Sequence, residues 1–239
     1  MSNGMTRWPR EGLVVALTLV GVAVTALAGL AAPTNRAVER MLERVLRAPE
    51  VVSRVLIARS DPFGGPDERT TGRLWFLPGR GLRYRSEERG GEDIVLDRDQ
   101  QVFLVYRGTE RVLYRASWDR APARLKQLVS EPERFLERDL EAVAERRLLG
   151  GAFREGFRLR RATLGDSLPS VSVWIAGDPA TGLPRWLSAT AEEDSILVEF
   201  RGLTLLGNAN ARDLLPRLPR GVQVQPLDPR DLLPGGESR

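Results

Sequence analysis

The chain has 239 residues, 42% of them hydrophobic and 28% charged, with no cysteine and no histidine. That length holds one domain behind a targeting segment, and the two missing residue types exclude disulfides, thiolate zinc sites, thiol nucleophiles and a Ser-His-Asp triad. The formal charge of +4 is carried almost wholly by arginine, Lys126 being the one lysine, and the charges are interspersed (Arg36, Glu39, Arg40, Glu43, Arg44), which reads as a solvated surface and not as a nucleic-acid-binding stripe.

At the N-terminus, Arg7 and Arg10 precede an uncharged apolar run over 12–32 that ends in small residues, with an Ala-x-Ala at Ala26 and Ala28. This is the pattern of a secretory signal, cleaved after Ala28 or Ala32. A run of this length also spans a bilayer if it is retained as an anchor. In either case residues 33–239 are expected outside the cytoplasm, in the periplasm, with Arg7 and Arg10 left inside. No cysteine follows the run, so the chain is not itself lipid-modified.

Next comes an amphipathic helix over 34–47. Val38, Met41, Leu42, Val45 and Leu46 recur at helical spacing, and Thr34 or Asn35 can cap it. From Val51 the period changes to two. Strands are expected at 51–59, 69–77, 82–89, 92–97, 101–106 and 111–116, divided by turn residues such as Pro78-Gly79 and Gly90-Gly91. Helical periodicity returns over 121–129, with Leu125 and Leu128 on one side. A second helical piece follows Ser130-Glu131-Pro132-Glu133, with Phe135 on its apolar face. Strands resume at 142–150, 154–163, 169–176, 184–191 and 195–206, two of them joined by the hairpin turn Asp178-Pro179-Ala180-Thr181-Gly182. A short last strand is expected at 221–225, and 226–239 reads as a disordered tail.

The fold class that follows is mainly β with an α lid. We expect an unclosed, strongly curved antiparallel barrel of about eleven strands in one domain over 33–225, with the N-terminal helix and the helical insertion over its concave face. Some strands alternate cleanly: Leu82, Tyr84 and Ser86 with Arg83, Arg85 and Glu87; Val173 and Ile175 with Ser172 and Trp174. Others are apolar on both faces, notably Leu74 to Leu77 and Val102 to Tyr106. Trp174 and Trp186 flank the Asp178 hairpin. The candidate ligand cavity is therefore assigned to Leu74, Phe76, Leu82, Tyr84, Phe103 and Val105, with Trp174 and Trp186. Leu125, Leu128 and Phe135 are assigned to its lid. No cofactor and no metal are expected, since Asp97-x-Asp99 lacks the other ligands and the glycine of a calcium loop. A hydrolase using carboxylates alone would have to draw on Glu92, Asp93, Asp97 or Asp99, and no pair among them stands out.

Three stretches resemble a known family. Gly72 to Tyr84 (GRLWFLPGRGLRY), Ile94 to Asp97 with Gln101 to Tyr106, and Leu214 to Val224 (LLPRLPRGVQV) are similar to motifs of the periplasmic outer-membrane lipoprotein carriers, LolA, and of their relatives LolB and the N-terminal domain of RseB-type sensors. The resemblance implies an unclosed barrel with a helical lid, whose apolar face takes up the acyl chains of lipoproteins or lipids. It implies a monomer without catalysis, ferrying cargo from an inner-membrane export complex to an outer-membrane acceptor. An envelope-stress sensor with the same fold is the alternative. The sequence departs from the pattern at Leu77, where the family carries Arg before Pro78, and at Arg98, where it carries Gly after Asp97. That arginine is tied to holding the lid and handing cargo on, so the resemblance extends to the lipid site and not to the relay.

Overall fold

The computed structural model describes residues 35–60, 67–121, 126, 129–131, 140–161, 171–191 and 194–227. The expected signal or anchor, nearly all of the helical insertion and the tail beyond Leu227 lie outside the described residues. Among those described, no helix is long and apolar enough to cross a membrane.

Helix α1 (Asn35–Arg47) leads into β1 (Glu50–Arg59), β2 (Glu68–Leu77), β3 (Gly81–Ser86), β4 (Glu92–Asp97), β5 (Val102–Arg107) and β6 (Val112–Ser117). After the insertion come β7 (Leu140–Leu149), β8 (Ala152–Arg161), β9 (Val171–Gly177), β10 (Pro184–Ala191), β11 (Asp194–Leu206) and β12 (Gln223–Pro226). All belong to one 12-stranded sheet in the order β12-β6-β5-β4-β3-β2-β1-β11-β10-β9-β8-β7. Because β7 and β12 end this order unpaired with each other, the sheet is unclosed, as the strand pattern predicts. Ten of its eleven pairings are antiparallel. The exception is β12, which lies parallel to β6 at one edge of the sheet. Pro226 is in β12 and Leu227 is buried.

The two halves of the sheet meet at β1, which pairs with β2 on one side and β11 on the other, Glu50 lying opposite Leu206. One face carries a single apolar cluster from nearly every strand, with α1 laid on it. Alternation explains the membership. Val55 and Ile57, Leu74 and Phe76, Leu82 and Tyr84, Val173 and Ile175 all point to this side, as a period of two requires.

The opposite face is covered over its N-terminal half by the segment that follows β11. This strap contains a short 3-10 turn, Ala211–Leu214, which Asn210 caps by accepting from the Arg212 amide. Leu214 is buried against Leu77 and Val95, with Trp75 and Leu104 beside it. Arg83 pins the strap. It is 4% exposed, forms two hydrogen bonds to Asp93 (2.8 and 2.6 Å) and donates Nη1 to the carbonyls of Asp213 and Leu215 (3.0 and 2.9 Å). Its guanidinium stacks on Trp75, 5.0 Å from the ring centroid. The alternation of β3 had placed Arg83 in solvent; the strap buries it.

Candidate apolar site beneath the helix

The concave face is the candidate site. Leu74, Phe76, Leu82, Tyr84, Phe103 and Val105 are all buried in its one cluster, so six of the residues singled out from sequence lie together. Leu125, Leu128 and Phe135 are outside the described residues. Val129, at the end of the insertion's first helical piece, is buried in the same cluster.

Trp174 and Trp186 are not on this face, which corrects their assignment to the cavity. Trp174 alternates with Val173 and Ile175 and so points outward. It is 0% exposed because it lies on Gly156 of the neighbouring strand, where a Cβ would stand 2.5 Å from the ring. Its Nε1 donates to the Glu145 carbonyl at 3.2 Å. Arg147 covers its ring at 5.4 Å and donates to Ser188 Oγ at 2.7 Å. Trp186 sits between Arg154 and Arg185, at 4.9 and 5.4 Å. These are cation–π stacks on a polar outer surface. A glycine inside a strand marks close approach of a neighbour, and that signal was present in the sequence at Gly156.

Helix α1 is held to the concave face by Val38, Met41, Leu42, Val45 and Leu46. Among the described residues the hydrogen bond that ties it to the sheet side is Arg44 Nη1 to the Thr181 carbonyl in the β9–β10 turn, at 2.7 Å; Glu43 and Arg47 pair within the helix. Among the described residues the helix is thus attached by apolar surface and one exposed polar tether. Tyr84 stands at the end of the cluster with its hydroxyl buried and unpaired, and burial pushes its pKa well above the usual phenol value.

The polar groups lie elsewhere. A cleft of about 300 Å³ opens on the outer face, between the strap and β3–β5, lined by Arg85, Glu92, Asp93, Tyr106, Arg111 and Arg217 among others. The four acids considered for hydrolysis are each engaged: Glu92 with Arg107 at 3.3 Å, Asp93 with Arg83, Asp99 with Arg80 at 3.0 Å, and Asp97 with the Gln100 amide at 3.1 Å. Burial raises the Glu92 pKa, and Arg107 opposes the rise. Among the described residues no group of three or more acids gathers as a metal site.

No family model matches the chain, and no curated protein matches it. Solved structures do. One is a LolA superfamily protein from Nitrosomonas europaea, at 9% identity and a TM-score of 0.42, over 78% of this chain and 99% of that one. MucB is another, at 14% identity and 0.43, over 79% of this chain and 64% of its own. A conserved uncharacterised protein from Thermus thermophilus gives 15% and 0.48, over 79% and 98%. At TM-scores below 0.5 these likenesses carry nothing about the site, which stands on its own geometry.

Proposed function

We propose that this chain is an exported carrier that holds the acyl chains of lipids or lipoproteins on the concave face of its sheet, with α1 as the displaceable cover. The observation that carries the reading is the way α1 is attached. Its five apolar side chains contribute about 10 kcal/mol of burial at roughly 2 kcal/mol each. A single surface hydrogen bond adds about 1 kcal/mol. An acyl chain of roughly 14 methylenes recovers a similar amount, at about 0.8 kcal/mol per CH₂. Exchanging helix for ligand is therefore close to balanced, which is what loading and unloading require. The signal pattern at Ala26 and Ala28 supports export of the chain, and the carrier-like motifs around Leu74 and Val224 support acyl cargo over other apolar ligands. The four candidate acids are engaged with arginines or a turn amide, so nothing favours the hydrolase reading.

Protein recovered after export from a bacterial host is expected to carry acylated material in native mass spectrometry. After delipidation it should take up a fluorescent fatty acid saturably. Arg44→Ala, which removes the tether and weakens the closed state by about 1 kcal/mol, should tighten apparent uptake about fivefold. Delipidated protein with no saturable uptake would sink the proposal.

A further inference from the structure

The β7–β8 hairpin is longer than its neighbour. Its last ladder pair shared with β9 is Phe157 with Ile175, yet β7 and β8 go on pairing from Glu145–Gly156 to Leu149–Ala152. The projecting end reads Leu148-Leu149-Gly150-Gly151-Ala152-Phe153 and has no polar side chain. Leu148 and Phe153 are direct cross-strand partners, and they are 61% and 66% exposed. They point to the concave side, so Leu149 and Ala152, each half-buried, point to the other, and the ladder to β9 reaches neither pair. Gly150 and Gly151 turn the chain at φ +57° and +80°, with nothing within 4 Å of where their side chains would be.

Behind this apolar tip is a collar of arginines. Arg147 and Arg154 face each other across the ladder, one residue back from Leu148 and Phe153. Arg146 stacks on the Phe153 ring at 5.6 Å. Two acids lie near. Glu155 is 3.8 Å from Arg146, and Glu145 is taken up by Arg147 and Arg158 at 2.9 Å each. The four arginines outnumber the two glutamates. On the same rim β11 ends at the exposed Leu206.

We infer that this hairpin docks the protein on an anionic phospholipid surface, with Leu148, Leu149, Ala152 and Phe153 entering the acyl boundary and Arg146 and Arg154 meeting the headgroup phosphates. From the Arg147–Arg154 pair to the turn is three residues of strand, about 10 Å, which matches the 5–10 Å depth to which interfacial anchors bury their apolar side. A wedge that is apolar on both faces and carries its charge only at the base suits a medium that surrounds it. A protein groove would cover one face and leave the other wet. Arginine, with its planar phosphate-matching donors, is the residue type for the collar.

The inference is independent of cargo binding on the concave face. Because the chain has no cysteine, a full-length Ala152→Cys variant takes a single environment-sensitive fluorophore at the tip; Thr109→Cys labels the opposite rim as control. The probe on residue 152 should blue-shift with vesicles of phosphatidylcholine mixed with phosphatidylglycerol, be quenched by spin-labelled lipid, and respond far less to pure phosphatidylcholine. The probe on residue 109 should not respond. Leu148→Ser with Phe153→Ser, both at exposed positions, should reduce the residue-152 response by about tenfold or more while leaving fatty-acid uptake and the melting temperature unchanged. Such a result separates docking from loading. No response at residue 152 in a folded protein overturns the inference. So does an equal response at residue 109, one that is indifferent to the phosphatidylglycerol, or a blue shift that grows with protein concentration in lipid-free buffer, which would mean that a second copy covers the tip.

Discussion

At the scale of single residues, Arg83 is the position whose role was least visible. In sequence it is the polar half of an alternating strand, and nothing within β3 distinguishes it from Arg85. Its partners are Asp93 on β4 and the carbonyls of Asp213 and Leu215, which come from a segment without strand or helix periodicity, and a period of two says which face a residue takes but not what covers that face. Arg83→Met leaves Asp93 buried without a partner and frees two carbonyls, and should cost about 3–5 kcal/mol in urea unfolding. Replacing Asp93 by leucine in the same chain should restore part of that, since it removes the orphaned charge. Glu50 is another buried charge, 0% exposed. Burial raises its pKa above 4.5, and the nearby Asp213 adds to the rise, while the Asn210 amide opposes it. A carboxyl whose folded pKa is raised binds its proton more tightly in the native state. Stability therefore falls as pH rises from the unfolded value through the folded one. Glu50→Gln keeps an acceptor for the Asn210 amide and cannot ionise. It should melt higher than the parent at pH 7, and the difference should disappear as pH is lowered below 4.5; a gap that widens toward acid would contradict the assignment.

At the scale of elements the sequence was most legible. The change of period from 3.6 to two after Pro49, and the Pro-Gly and Gly-Gly turns, gave α1 and nearly every strand to within a few residues, because each is a local property of one face. The same alternation placed six of the eight described cavity candidates on one surface. It also sets Trp174 beside Ser172, opposite Val173 and Ile175, so the register of β9, and not the bulk of the ring, decides which face the indole takes. What decides that region is the contact of β8 with β9. Gly156→Ala would put a methyl group 2.5 Å from the Trp174 ring and 2.6 Å from the Ile175 carbonyl, so the strands must part or the indole must move. The cost should be about 1–3 kcal/mol, read in thermal unfolding, with Trp174 emission shifting to the red as water reaches it. A silent substitution would mean that β8 and β9 are not packed as described. The concave face should be indifferent to this change, since Trp174 is on the other side, and fatty-acid uptake is the control for that.

At the scale of the whole molecule the question is what holds two half-sheets as one body. The strands of each half are mostly joined in sequence order, but β1 pairs with β11 across most of the chain, and the strap then returns from β11 to the outer face of the first half. Its last piece, β12, adds to β6 through Gln223 N to the Arg111 carbonyl and Leu227 N to the Arg115 carbonyl, at 3.1 and 2.8 Å. Each of its docking surfaces is made of finished sheet: Leu77 and Val95 must already be neighbours across β2–β4 to receive Leu214, and β6 must already be paired to β5 to present its outer edge. The strap's contacts therefore form late, and they stabilise the native state more than the transition state for folding. Ending the chain after Gly207 uncovers Leu77 and Val95 and leaves Arg83 and Asp93 facing water. At about 1.5–3 kcal/mol for each buried side chain, the loss is of order 5 kcal/mol, comparable with the whole stability of many domains. Because the loss falls after the transition state, the truncated chain should unfold much faster and refold at nearly the parental rate. Stopped-flow fluorescence of Trp75, which lies beneath Arg83 at the strap's anchor, reads both rates. A refolding rate that drops in proportion to stability would show that the strap helps to assemble the sheet and does not merely fasten it.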